Sequence, residues 1–333
     1  MIGGSKILVR GLDADVHQAL ETMANGSDRS LEAEARHALR AWVQPLLVAR
    51  ERSERRVQLS QRLGAVLSQI NEAAHLRWRP SHVAQGIGES LAGPVEDWFL
   101  GRIEPSFGQL ADVAEFLGVD RGWLQHGDGH PFPVDHVRLS EDPGLAARWL
   151  LNLAEDPQMP FGPYQPAPVF PELERLIFVR SANEEGSLAI VKQRDNYRCK
   201  TYRTPTHVSS VIGSGGEAQL MSLAVTLELL YKSHGRANSA IVKSWIVPDK
   251  SFSALVNGQV HPLSLDGGQS ERPWWEDFWD EKMAGKHEYW KGWGEISRSI
   301  RRAVDGNDRL ARQRAQIRLG EHPLLKLWAE HRA

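Results

Sequence analysis

SKILVRGLDADVHQALETMANGSDRSLEAEARHALRAWV, residues 5–43, changes its periodicity twice and decides how the N-terminus folds. In SKILVRGL, Ile7 and Val9 alternate with Lys6, Leu8 and Arg10, the period-two pattern of a strand with one buried face, and Gly11 breaks the run. Asp13 reads as the N-cap of a helix that places Val16, Leu20 and Met23 on one face with Ala19 and Ala24. Asn25 to Asp28 reads as a turn, and Ser30 caps a second helix whose apolar stripe is Leu31, Ala35, Ala38, Leu39 and Trp42.

One strand and two helices cannot close a core, because a lone strand leaves both edges unpaired. A two-fold dimer repairs this by pairing the strand antiparallel with its copy. The resulting ribbon turns its polar face outward and fits the DNA major groove. Arg10 then becomes the main base-reading side chain, with Lys6 beside it and Leu8 available to thymine methyls. The N-terminus of the second helix, at Arg29 and Ser30, offers free amides to a phosphate. His17 reads as a helix-surface residue.

These spaced features resemble the ribbon-helix-helix antitoxins of FitA type over residues 5–45: a valine-arginine strand end, a histidine-containing first helix and an S-x-E-A-E second helix. The resemblance implies an intertwined homodimer, operator binding in the major groove and repression of the protein's own operon. Gly11 stands where the family commonly has asparagine, which removes one polar contact.

A charged connector, 48–58, leads into short helical segments separated by Gly, Pro and Ser. Their order over 59–133 resembles the Cro/repressor-type helix-turn-helix family: A-x-x-I-G at 84–88, W-x-x-G at 98–101, then P-S-x-x-x-L-x-x-V-A-x-x-L-G-V and W-L-x-x-G. The resemblance implies that the segment starting at Ser90 enters the major groove. GESLAGPVEDWF carries no Arg, Lys, Asn or Gln to grip a base edge, and Glu96 and Asp97 repel phosphate. Arg77, Arg79, Gln85, Ser90 and Arg102 are the candidate contacts of this module.

The C-terminal half resembles no family by its motifs. A Pro-rich linker or arm is expected at 134–172, an α+β domain with an antiparallel sheet at 173–294, and a basic helical terminus at 295–333. RLIFVRS, LAIVKQRD, YRCKTYRT, SAIVKSWIV and FSALVNGQVHPLSL read as strands, and EAQLMSLAVTLELLYKSH as a buried helix. The tryptophans at 274, 275, 279, 290 and 293 allow three readings: core or inter-domain packing as the default, an aromatic ligand pocket, and base stacking with single-stranded nucleic acid, which the acidic surroundings disfavour. Arg298, Arg301, Arg302, Arg309, Arg312, Arg314 and Arg318 lie on helical stretches and read as a solvated face that can also touch phosphates.

Charge is unevenly distributed around a net of −2. Residues 1–60 hold nine basic and eight acidic side chains, 61–133 five and nine, and 295–333 nine and five. DNA contact must therefore be local and geometric rather than a product of bulk charge. Cys199, the single cysteine, excludes an internal disulfide framework. No apolar run reaches membrane-spanning length, and MIGGSKILVRG lacks the apolar stretch of a secretion signal, so a cytoplasmic protein is expected.

Catalytic signals are weak. Asp277 with Glu281 and Lys282 has only the chance spacing of an acid-rich helix, the glycines at 213, 215 and 216 lack a phosphate-loop lysine, and the histidines lack metal-ligand spacing. The expectation is a multidomain, non-enzymatic, homodimeric DNA-binding repressor without cofactor or metal. The alternative is an antitoxin-like protein that autoregulates its operon and neutralises a partner toxin through its C-terminal half.

Overall fold

The computed structural model describes residues 7–152, 173–210, 214–233, 240–265, 273–280, 282–283 and 286–330. Lys6, Glu281, Gly213 and most of the Pro-rich stretch lie outside them.

Residues 7–10 form no strand or helix, and Ile7, Leu8 and Val9 are exposed. The strand expected there needs a neighbouring backbone to accept its hydrogen bonds, and among the described residues its own chain supplies none. α1 (Ala14–Gly26) follows Asp13, whose side chain makes no cap bond although its carbonyl accepts from the His17 amide. α2 (Leu31–Ala73) starts as its cap predicts: Ser30 Oγ accepts from the Ala33 amide at 3.2 Å.

The expected connector at 48–58 is not a separate linker. It is helical and belongs to α2, a 43-residue helix about 64 Å long with Pro45 inside it. Its residues are strong helix formers, among them Ala49, Arg50, Glu51 and Glu54, so charge alone does not break it.

The second half of α2 forms a bundle with α3 (Pro80–Gly86), α4 (Gly93–Phe99), α5 (Phe107–Leu117) and α6 (Arg121–His126). Leu59, Leu63, Val66 and Ile70 of α2 meet Val83, Val95, Trp98, Leu110, Val113, Leu117 and Leu124 in one buried cluster. α5 is closed at both ends by local chemistry. Ser106 and Gln109 cap each other's amides, and Gly118 at φ +68° takes the left-handed C-cap that a side chain would resist.

A five-stranded sheet organises the rest: β1 (Val134–His136), β2 (Arg175–Ser181), β3 (Ser187–Gln193), β4 (Cys199–His207) and β5 (Ile241–Val247), in the order β1-β4-β3-β2-β5. The expected antiparallel sheet is corrected to a mixed one. β2–β3 and β3–β4 are antiparallel, whereas β1–β4 and β2–β5 are parallel. The cause is α8 (Ser214–Ser233), the long apolar helix that carries the chain from β4 across to the far side of β2.

Two further expectations change. FSALVNGQVHPLSL is not a strand but α9 (Asp249–Val256) followed by a 3-10 turn (Pro262–Leu265), because Phe252 and Leu255 bury one helical face against the sheet. Residues 134–150 are no linker either: β1 pairs with β4, and α7 (Pro143–Leu150) packs on α8.

One sheet face, with Leu176, Phe178, Leu188, Ile190 and Tyr202, is covered by α7, α8, α10 (Trp274–Trp279), α11 (Trp293–Asp305), α12 (Asp308–Leu319) and α13 (Pro323–Glu330). Trp274, Trp275 and Trp293 are buried there, with Trp279 and Trp290 half-buried against them. The other face, with Ile177, Val179, Ala189, Val191 and Cys199, is covered by α9, Leu263 and the end of α2 at Ala73 and Ala74. Burial pushes the Cys199 thiol pKa up, which fits an inert core residue.

The bundle is fastened to the sheet through Tyr197. Its hydroxyl donates to the Phe116 carbonyl, and its ring meets Trp78 at 4.6 Å. His261 Nε2 donates to the Tyr197 carbonyl at 2.8 Å. At Gly258, φ +69°, an added Cβ would fall 2.2 Å from the Phe132 carbonyl oxygen, so the approach of the two chains there requires glycine.

Candidate nucleic-acid interface

The α1–α2 turn is held by a charged clasp. Glu34, almost completely buried, accepts from Ser27 Oγ at 2.9 Å and from Arg29 Nη1 at 3.2 Å. The Ser27 hydroxyl and the Arg29 guanidinium together lower the Glu34 pKa, keeping the carboxylate ionised. Asp28 takes a positive φ of 54°, and the Arg29 amide donates to the Ala24 carbonyl, which closes the turn between α1 and α2.

At that start, Ser30 satisfies one amide, and the other first-turn amides have no acceptor within the helix. Arg29 is therefore not a free phosphate ligand in the single chain. Its guanidinium is occupied by Glu34 across a pair that is 43% exposed on the arginine side. Glu32 adds negative charge to the first turn and pairs with Arg36 at 3.4 Å. Ser30 and the helix dipole are left as the anion-attracting elements.

Leu8 and Arg10 are both exposed beside the exposed Ile7 and Val9. Apolar and polar side chains of the segment are thus equally uncovered within the chain. Residues 7–47 hold ten of the eighteen large apolar side chains that the described structure leaves exposed, although they are about an eighth of the sequence. Within residues 7–47 only Ala24 and Glu34 are buried. This concentration was legible as an apolar stripe in α2, on a module too small to close a core by itself.

On the bundle, Arg77, Arg79, Gln85 and Ser90 are exposed, and the Arg79 amide donates to His82 Nδ1 at 3.0 Å. Arg102 is exposed too, but it pairs with Asp97 at 3.2 Å, which neutralises one of the two acids that oppose phosphate. Glu89 accepts from Gln109 Nε2 at 2.8 Å. The start of α4 presents Leu91, Gly93, Pro94 and Glu96 to solvent, and Ala92 caps it without a side-chain bond. Arg77, Arg79, Gln85 and Ser90 flank this apolar and acidic helix start rather than replace it.

The C-terminal arginines divide. Arg314 and Arg318 both pair with the buried Glu228 of α8, at 3.0 and 2.8 Å, and Arg314 also pairs with Asp305. Arg301 is buried. Arg298, Arg302 and Arg312 remain on the solvent face of α11 and α12. Asp277 accepts from the Tyr289 hydroxyl and sits in the aromatic core, and no metal-ligating cluster occurs among the described residues. No described helix is long and apolar enough to cross a membrane.

No curated protein and no solved structure matches the chain. A family model described as antitoxin FitA-like, ribbon-helix-helix, matches residues 6–43, so this segment is similar to a DNA-binding module of antitoxins.

Proposed function

We propose that the protein is a non-enzymatic regulator that binds double-stranded DNA as a homodimer through residues 5–45 and represses transcription. The observation that carries this reading is the uncovered segment 7–12. Ile7 and Val9 alternate with Leu8 and Arg10, all of them exposed, and the segment has no pairing strand among the described residues. A second copy supplies that strand, buries Ile7 and Val9 against both pairs of helices, and turns Leu8 and Arg10 outward together. Lys6 extends the same polar face.

The helical bundle at 59–133 is assigned to the helix-turn-helix type as part of the same proposal. Its Arg77, Arg79, Gln85 and Ser90 touch phosphates, and base reading belongs to the ribbon, because the start of α4 offers no base-gripping side chain. Repression is preferred to toxin neutralisation because residues 173–326, with 137–151 and the end of α2, bury a core on both sheet faces, whereas a toxin-wrapping tail is short and orders on binding.

The test is to sequence the genomic fragments retained by the purified protein at a stated salt concentration. Enrichment of one palindromic site supports the reading, and retention of fragments without a shared sequence overturns it.

A further inference from the structure

Ser30 caps the N-terminal end of α2, whereas Arg77 and Arg79, both exposed, follow just beyond its C-terminal end at Ala73. The two sets of DNA contacts assigned above therefore stand at opposite ends of one helix about 64 Å long. Even Leu59, where α2 first enters the core of the bundle, lies about 42 Å along the axis from Leu31.

The chain itself holds that spacing. Among the described residues, α2 contributes nothing to any buried cluster before Leu59, so no other element folds it back. Residues 46–63 contain neither glycine nor proline, and Pro45 turns a helix axis without reversing it. Arg55 pairs with Glu104 at 2.6 Å, and Arg56 Nη1 donates to the Arg102 carbonyl at 3.0 Å, which fastens the helix to the bundle it enters.

Distance decides where the cations of the bundle can act. The phosphate site at the start of α2 lies on the helix axis, because the amides and the dipole that attract the anion point along it. A duplex held there is left behind as the helix runs on. About 42 Å is roughly five Debye lengths at physiological salt, so the bundle gains no attraction from the duplex of the ribbon. A helix laid along that duplex would need free cations on the stretch between the two modules. Arg50, Arg55 and Arg56 there are engaged by Glu54, Glu104 and the Arg102 carbonyl.

We propose that the protein bridges two DNA duplexes: the ribbon reads one, while Arg77, Arg79, Gln85 and Ser90 hold phosphates of another. The proposal rests on the DNA-binding reading of both modules and adds a second duplex to it. In a homodimer both helices leave the same ribbon, so each dimer carries two bundles away from the first duplex. The start of α4 offers no base-gripping side chain, so the second duplex is held through its backbone, whatever its sequence.

The test immobilises a biotinylated duplex carrying the site enriched above and adds the full-length protein at a stated salt concentration, then a fluorescent duplex of random sequence. Captured fluorescence is divided by the amount of protein retained, and the wild type is compared with Arg77→Ala/Arg79→Ala, with circular dichroism as the control for folding. The expected result is capture by the wild type and at least about a tenfold loss in the variant at unchanged helix content. Protein retained without a captured second duplex overturns bridging and leaves the ribbon reading standing. Capture by the variant within twofold of the wild type overturns the bundle as the second contact, and the proposal with it. No protein retained on the immobilised duplex overturns bridging together with the DNA-binding reading.

Discussion

Arg29 Nη1 lies 3.2 Å from Glu34 Oε2, and this pair uses a guanidinium that stands where a phosphate ligand would be placed. The carboxylate is buried and also bonded by Ser27, so the pair organises the turn between α1 and α2. Arg29→Ala is expected to cost about 1 kcal/mol of stability, the usual value of a charge-assisted hydrogen bond at a half-exposed donor. The slope of log affinity against log salt concentration should stay unchanged. A drop of about one in that slope, the mark of a lost phosphate contact, would show that Arg29 leaves Glu34 for DNA.

Arg10 has the opposite environment, since it is exposed and belongs to no described ion pair. Arg10→Ala removes a groove contact and no core volume, so the protein should remain dimeric and equally stable. Specific binding should weaken by about 1–3 kcal/mol, roughly 5- to 150-fold. A gel-shift titration against the enriched site, run beside a random duplex, reads this directly. Equal loss on both duplexes would reassign Arg10 from base to phosphate.

His261 donates to the Tyr197 carbonyl through Nε2, and its Nδ1 accepts from the Leu263 amide, so the ring is held neutral at the junction of bundle and sheet. Burial pushes its pKa down to about 4, against the opposing pull of the Tyr197 carbonyl. A depressed pKa means that the unfolded chain binds the proton first. This contribution to stability is complete above pH 6.5 and is lost as the pH falls towards 4. The shift corresponds to about 3 kcal/mol. Denaturant unfolding of wild type and His261→Gln at pH 7 and pH 4.5 should show the two converging at the lower pH.

Lys192 lies fully buried on β3 without a carboxylate partner among the described residues, donating to the Trp149 carbonyl and to Asn152 Oδ1. Its ammonium would sit 3.7 Å from the Trp149 ring centre. Burial, reinforced by Lys200, lowers the pKa to about 6, so the amine is neutral at pH 7 in the fold and charged in the unfolded chain. Stability from this site is complete only above pH 10.5 and falls steadily as the pH drops towards 6. Lys192→Met should therefore stabilise by about 1–3 kcal/mol at pH 7, with the gain shrinking by pH 9. A variant less stable than wild type at both values would mean that the two hydrogen bonds outweigh desolvation.

Some features needed no tertiary structure. Ser30 caps α2 because a hydroxyl before a helical run finds the Ala33 amide wherever the helix lies. The Ser106–Gln109 box and Gly118 bound α5 in the same local way. β2 and β3 were legible as strands, and α8 as a helix apolar on most sides.

Other features depend on what lies across from a residue. The direction of β5 follows from where α8 delivers the chain, so a run such as IVKSWIV reads the same whether its neighbour is parallel or antiparallel. Phe252 and Leu255 fit a strand or a helix until the sheet face that they cover is in place. Arg29 reads as a phosphate ligand until Glu34 is seen beneath it, and Arg314 as a solvated cation until Glu228 is seen inside α8.

Residues 5–43 by themselves determined two helices with a turn between them, the second capped by Ser30, because helical periodicity, caps and turns are interactions between neighbours in sequence. Tertiary structure decided that α2 runs on for 43 residues, that its stripe at Leu39, Trp42 and Leu46 stays uncovered, and that bundle and sheet are joined through Tyr197. Those outcomes depend on which surfaces meet, and burial between elements distant in the chain leaves no periodic trace in either one.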